Sequence, residues 1–424
     1  MRYQELFSKK WFFISVLISL LFFQLVFSFL SPSCGSGGSV WEPIGTLISK
    51  FTAQSVGNPL LAKIYPLISR YSLHTDGSYY LELGRHFSSE YYNGHMFLER
   101  PLWPFLIFLS SSFIGLFITV SYPLVFGLAI FINFILTALA VILLFLLLKD
   151  LFSLRVAWLS SILFIFSPFL HSFLNQPIVE ILTVFTAVLA VYLLRNYVKK
   201  PSVSKLIVFS LIIGILMLGK LFFVISLFIL LLAVYFRRYK EGAIFLAVHL
   251  TPLLFWYFWV TQVWQIGYYS FTVEKYHMGV WLFDIFNLPW QVTYRVFLDA
   301  FPNFIAATLY GFLVIPVLFS IIGFQRLPFK SKNILYFGSI FTFLTFFFLM
   351  NTYTFRHAFL LFPIIYPTCV LGIDRVADSL KRYKPWLALL FCVIIIGLII
   401  LVSNINLYQL FDYNGRANSV IMLN

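Results

Sequence analysis

The sequence predicts an all-α integral membrane protein of about eleven transmembrane helices, with a large first extracytoplasmic loop carrying juxtamembrane helices. Three observations predict it. Hydrophobic residues make up 61% of the 424 and charged ones 10%, a membrane composition rather than that of two or three soluble domains. Apolar runs such as 11–30, 126–148 and 386–402 are long enough, at about 1.5 Å rise per residue, to cross a hydrocarbon core of roughly 30 Å. Lipid offers the backbone no hydrogen-bond partners, so each run must be helical. Finally, the basic residues gather in short clusters between the apolar runs.

The first helix follows Lys9 and Lys10. Its apolar run of about 20 residues exceeds the roughly 7–15 of a secretory signal core, and Ser31-Pro32-Ser33-Cys34 fits a lipoprotein cleavage site poorly. It therefore reads as a transmembrane segment. Six basic clusters are assigned to the cytoplasm by the positive-inside rule. They are Arg2, Lys9 and Lys10; Lys149 and Arg155; Arg195, Lys199, Lys200 and Lys205; Arg237, Arg238 and Lys240; Arg326, Lys330 and Lys332; and Arg375, Lys381, Arg382 and Lys384. Together they hold 19 of the 29 basic residues against five acidic ones, so the formal charge of +14 resides on one side. Its purpose is orientation, not nucleic-acid binding.

Placing all six clusters inside predicts helices near 11–30, 122–148, 156–172, 178–194, 205–218, 221–236, 243–260, 304–324, 335–351, 358–373 and 386–403, with the carboxyl tail outside. The run 101–120 breaks this parity and is read as a juxtamembrane or re-entrant helix. The chain is then a single polytopic membrane domain, 1–424, with outer loops at 31–121 and 261–303. Of the three cysteines, Cys369 and Cys392 fall in predicted helices and Cys34 in a loop. They form neither a disulfide framework nor a zinc spacing.

Four polar patches fall on the outer face. The first loop contains His74-Thr75-Asp76-Gly77-Ser78-Tyr79-Tyr80-Leu81-Glu82-Leu83-Gly84-Arg85-His86, then Leu98-Glu99-Arg100-Pro101-Leu102-Trp103-Pro104. The former predicts a short helix on the membrane with Tyr79, Tyr80 and Leu83 on one side. Asp76 is either an N-cap of that helix or a functional carboxylate. The second patch runs from Ser167 through His171 and Gln176 to Glu180. Glu180 sits near a predicted helix amino-terminus, where the dipole favours its charge. It either stabilises a helix end that Pro177 starts or serves chemistry at the lip of the lipid.

Lys220 stands alone between apolar stretches, as a snorkelling lysine or as the partner of an anion. Arg356, followed by His357, opens a predicted helix, the unfavourable end for a cation. That placement calls either for a headgroup or for a phosphate gripped by the guanidinium fork.

In order and spacing these segments resemble the GT-C superfamily of membrane glycosyltransferases, the polyprenyl-phosphate-sugar-dependent group that includes protein O-mannosyltransferases and the lipid A aminoarabinose transferase. The resemblance runs from the first helix to about Gly372. Asp76 to Tyr80 resembles its first-loop acidic motif, Arg100 to Pro104 an Arg-Pro-Leu-aromatic-Pro run, and Ser167 to Glu180 a Ser-Pro…Glu segment. Gly214 to Lys220 and Arg356 to Pro367 complete the set. Two departures stand out: Gly77 occupies the place of the second acid of an Asp-Glu pair, and Lys220 that of a commoner arginine.

The resemblance implies a transferase that takes a sugar from a polyprenyl-phosphate donor to an acceptor hydroxyl at the non-cytoplasmic face, with inversion. Asp76 and Glu180 would be the catalytic carboxylates. Tyr79, Tyr80, Arg100, His171, Gln176, Lys220, Arg356 and His357 would bind substrate. The partners implied are membrane lipid, the lipid-linked donor and an acceptor that is lipid, glycan or protein. No cofactor is firmly expected. His74, His86 and His95 leave room for a loosely held divalent cation, although their spacing fits no tight ligand set.

In the aromatic outer loop, Trp264, Tyr268, Tyr269, Trp281 and Trp290 are either a sugar-stacking wall or an interfacial belt. Two other functions fit a many-helix chain with few charges. A transporter or flippase of lipid-linked saccharide predicts broken helices in corresponding halves, whereas here the charges sit at one face. A glycan polymerase or ligase differs only in its acceptor.

Overall fold

A computed structural model describes residues 2–30, 75–93, 98, 100–219, 229–230, 233–234, 236–267, 305, 308–309, 311–328 and 359–404. Among them the regular structure is helical. The helices are α1 (Arg2–Leu30), α2 (Thr75–Arg85), α3 (Ser89–Tyr92), α4 (Leu102–Gly115), α5 (Tyr122–Leu151), α6 (Leu154–Ile165), α7 (Pro168–Phe173), α8 (Glu180–Lys199), α9 (Val203–Met217), α10 (Tyr239–Phe258), α11 (Val314–Phe324), α12 (Phe362–Lys381) and α13 (Pro385–Asn404). Six helical segments among the described residues are long and apolar enough to cross a membrane: Tyr122–Leu151, Leu154–His171, Glu180–Lys199, Tyr239–Val263, Phe359–Lys381 and Pro385–Ser403. Of the predicted span 221–236 only 229–230, 233–234 and 236 are described, and the span 335–351 and the first-loop residues 31–74 lie outside the described residues.

One end of the bundle collects the basic clusters. At the end of α5, Asp150 takes Lys199 at 2.5 Å and Arg195 at 3.8 Å from the end of α8. Arg155, opening α6, pairs with Asp374 of α12 at 2.8 Å, and Arg326, just past α11, pairs with Asp378 at 2.8 Å. The first helix points the same way: the Phe13 ring lies 5.1 Å from Trp158 and 6.4 Å from Phe145, near that end, whereas Gln24 reaches His171 at the other. Basic residues at 155, 195, 199 and 326, dispersed along the sequence, thus pair with acids at one end of the bundle.

Helix α4 has 14 residues and so spans about 21 Å, short of a crossing. Its start is tied to the end opposite the basic clusters, where the Leu102 amide donates to the Leu218 carbonyl at 3.1 Å. After a short connection the chain enters α5 at Tyr122, which lies in the field of Glu82 and Arg85 of α2. Both ends of α4 therefore stay on one side, and it packs along α2.

The predicted span 156–172 is two helices. Pro168 disfavours a helical Ser167, which is extended (φ −70°, ψ 151°), and the Ser167 hydroxyl accepts from the Leu170 amide at 3.2 Å, capping α7. Elsewhere α11 and α12 pack with almost no gap. A Cβ on Gly323 would overlap the Thr368 carbonyl, and one on Gly372 would overlap the Phe319 carbonyl. The Ser320 and Thr368 hydroxyls hydrogen-bond between them. Close backbone approach at small residues is how helices gain contact in lipid.

Candidate active site

The second outer patch is the hub to which the others attach. After α7 the chain turns through Asn175, Gln176 and Pro177 before α8 begins at Glu180. Pro177 thus precedes the helix by three residues and does not start it. Its carbonyl is used differently, accepting from the Trp103 indole of α4 at 3.2 Å. The Gln176 carbonyl accepts from Asn133 Nδ2 of α5 at 2.6 Å and from the Ile178 amide at 2.8 Å. Glu180, the first residue of α8, is 5% exposed. A carboxylate there meets the positive end of the helix dipole, the expected electrostatics.

The first-loop helix docks on this turn. Asp76 is the second residue of α2, so it lies inside the first turn of the helix rather than in the N-cap position before it. Its neighbour Gly77 abuts Pro177 and Ile178: a Cβ there would come 3.1 Å from Pro177 Cγ and 3.6 Å from Ile178 Cγ2. Tyr80 and Leu83 are buried, while Tyr79 is 44% exposed and lies with exposed Glu82 on the other side. The expected grouping of Tyr79 with Tyr80 and Leu83 is corrected accordingly. Tyr79 and Leu83 are one helical turn apart in sequence, but the apolar stripe of α2 is centred on Tyr80, Leu81 and Gly84.

Two more motifs close around the hub. Arg100 is partly buried just before α4, whose first residues contact Pro177 and Leu218 as described. The Leu218–Gly219 turn ends the described part of the Gly214–Lys220 motif, and a Cβ on Gly219 would overlap the side chain of Leu182, two residues into α8 from Glu180. Lys220 itself, with Arg356 and His357, lies outside the described residues. Phe359, three residues past Arg356, stacks on Phe169 of α7 with centroids 4.1 Å apart and planes at 1°.

His171 is buried, with its Nδ1 3.4 Å from Gln24 Nε2 of α1. Gln24 and Asn133, both 0% exposed, are residues that sequence reasoning missed. Their signal was present: each is a lone amide within an otherwise apolar run, and polar groups inside the membrane signal function or packing.

The aromatic expectations divide. Trp264 is part-buried and packs in an aromatic cluster with Trp256 at 5.3 Å, Tyr92 at 5.5 Å and Phe87 at 5.8 Å. Trp256 in turn donates to the Leu98 carbonyl at 2.9 Å, holding the chain just ahead of Arg100. Tyr268, Tyr269, Trp281 and Trp290 lie outside the described residues. Burial pushes the Tyr92 phenol well above its ordinary 10.0, with Tyr80 adding to it, so Tyr92 stays neutral. His86 stacks on Tyr91 at 4.5 Å, whereas His74 and His95 lie outside the described residues. Among the described residues no group of three His, Cys, Asp or Glu side chains is placed to hold a metal ion.

Against solved structures, the chain is similar to the Archaeoglobus fulgidus oligosaccharyltransferase tethered to an acceptor peptide containing the NVT sequon. Identity is 16% and the TM-score 0.49, over 77% of this chain and 50% of that one. The present chain spans half the length of that protein. No family model and no curated protein matches the chain.

Proposed function

We propose that the chain is a membrane glycosyltransferase that moves a sugar from a polyprenyl-phosphate donor to an acceptor hydroxyl, at the membrane face opposite its basic clusters. One observation carries this reading. Segments from position 77 to position 359, singled out by their resemblance to one enzyme superfamily, contact the single stretch Phe169–Leu182: Gly77 and Trp103 at its turn, Phe359 on Phe169 before it and Gly219 on Leu182 after it, at the end remote from Asp150, Arg155 and Asp374. The basic end is cytoplasmic by the positive-inside rule, which makes the site extracytoplasmic.

In this mechanism the acceptor oxygen attacks the anomeric carbon and its proton passes to Asp76 acting as general base. The bond from that carbon to the phosphate oxygen breaks, and its electron pair leaves with the polyprenyl phosphate on the opposite face, inverting the configuration. Lys220, Arg356 and His357 stabilise the charge gathering on the departing phosphate. Glu180 orients sugar or acceptor hydroxyls, with exposed Tyr79 and part-buried Arg100 lining the approach, while Tyr80, His171 and Gln176 are buried.

The test is to incubate purified protein with a panel of polyprenyl-phosphate sugars and candidate lipid, glycan and protein acceptors, comparing wild type with Asp76→Asn. A new glycosidic bond made by wild type and lost in the variant supports the assignment. Transfer undiminished by Asp76→Asn removes Asp76 from the chemistry, and movement of donor across vesicles without bond formation favours a flippase.

A further inference from the structure

The turn between α7 and α8 bears on both candidate carboxylates, since Glu180 follows it directly and Gly77, next to Asp76, rests on its proline. Such a turn has no secondary structure of its own to fix it. Besides its local main-chain bonds, from the Ile178 amide to the Gln176 carbonyl and from the Gln176 amide to the Phe173 carbonyl, it is held by a pair of side-chain donors from two different helices, each aimed at a successive main-chain carbonyl. Asn133 of α5 holds Gln176 at 2.6 Å and Trp103 of α4 holds Pro177 at 3.2 Å. Both donors are fully buried, where water does not compete for either bond.

The orientation of the Asn133 amide follows from its partner. A carbonyl can only accept, so Nδ2 and not Oδ1 must face Gln176. Its Oδ1 is buried and has no hydrogen-bond partner among the described residues. Burying an amide with one end unsatisfied is unfavourable, and a leucine would fill the position without that cost. Asparagine is therefore better explained by the bond it makes than by packing.

From this arrangement we infer that Asn133 and Trp103 are positioning residues, which lock the Gln176–Pro177 turn so that the Asp76 helix seats in one register beside Glu180. The inference concerns the same site as the glycosyltransferase reading, on which the functional meaning of that register rests. The contact it governs can be measured without a substrate.

The experiment is oxidative cross-linking of full-length protein in its membrane, with cysteines introduced as Gly77→Cys and Ile178→Cys, positions whose side chains meet at 3.6 Å by the contact of a Gly77 Cβ with Ile178 Cγ2. The pair is examined alone and with Asn133→Leu or Trp103→Phe, each of which removes one donor while keeping most of the volume. The expected result is efficient disulfide formation in the parent pair and a rate reduced roughly five-fold or more by either substitution, as loss of a buried hydrogen bond implies.

An unchanged rate in both variants would overturn the positioning role, as would a parent pair that fails to cross-link. Because Trp103→Phe leaves the α5 side chains intact, misfolding of the Asn133 variant does not remove the test. Failure of Asp76→Asn to affect transfer, by contrast, would sink the enzymatic reading while leaving the cross-linking result as it stands.

Discussion

The backbone of Gly77 lies against the ring of Pro177, with room for a Cβ only at 3.1 Å from Cγ and 3.3 Å from Cδ. This contact gives a physical account of glycine at position 77. A larger side chain at 77 starts from a Cβ already crowded by the proline against which the helix rests. Gly77→Ala needs the proline to yield by a few tenths of an ångström and is expected to be nearly tolerated. Gly77→Glu is expected to weaken docking by about 1–3 kcal/mol through overpacking. Transfer activity, read beside thermal unfolding of the purified protein, distinguishes the two; equal activity for both variants would refute the account.

Glu180 stands at the amino-terminus of α8 and is almost wholly buried. Glu180→Gln keeps its shape and removes its charge. If the carboxylate orients substrate hydroxyls, turnover should fall by roughly 10²-fold, the scale of a misplaced reactant. A loss of melting temperature with unchanged turnover per folded molecule would instead mark it as a helix-end stabiliser.

The α11–α12 contact predicts a purely structural effect. Because Gly323 and Gly372 each leave no space for a Cβ before the facing carbonyl, Gly323→Ala or Gly372→Ala must push the helices apart. The expected loss is about 3 kcal/mol or more, above ordinary overpacking because the obstacle is backbone. Ser320→Ala, which removes only the hydroxyl bonded to Thr368, should cost about 0.6 kcal/mol, the average for such bonds in a membrane. Unfolding in mild detergent orders the three variants.

Tyr92 makes the opposite prediction. Its hydroxyl is buried and has no hydrogen-bond partner among the described residues, while its ring packs on Phe87, Trp256 and Trp264. Tyr92→Phe keeps the ring and removes the unsatisfied group, and should leave stability unchanged or raise it by about 1 kcal/mol. A clear drop in melting temperature would show that the hydroxyl is doing something else.

Sidedness can be tested at two exposed positions. Glu82 lies on α2 beside the candidate site, and Lys199 lies at the basic end with Asp150. A membrane-impermeant thiol reagent should label Glu82→Cys in intact cells and Lys199→Cys only after permeabilisation. Labelling of both from one side would dissolve the proposed compartment.

Much of this arrangement was written in local features of the chain. Hydrophobic run length determined the helices: α5, α9 and α13 lie within three residues of their predicted bounds. The clusters around Lys149, Arg195, Arg326 and Arg375 determined which helix ends lie together, and α4 was singled out as not crossing because its run broke that parity. Charge and hydropathy act one residue at a time against a slab of lipid, so a one-dimensional pattern suffices to read them.

What touches what was decided only by tertiary packing. Trp103 reaches Pro177 across 74 residues and Gln24 reaches His171 across 147, and neither separation leaves a periodic trace. Tyr79 and Tyr80 are equally aromatic, yet one is exposed and the other buried because α2 turns a particular face to α4 and to the Pro177 turn. Gly77, Gly219, Gly323 and Gly372 read alike in the sequence. Only the atom standing opposite each missing Cβ, a proline ring, a leucine methyl or a backbone carbonyl, says what each is for, because close packing depends on shape, and shape is a property of the assembled helices.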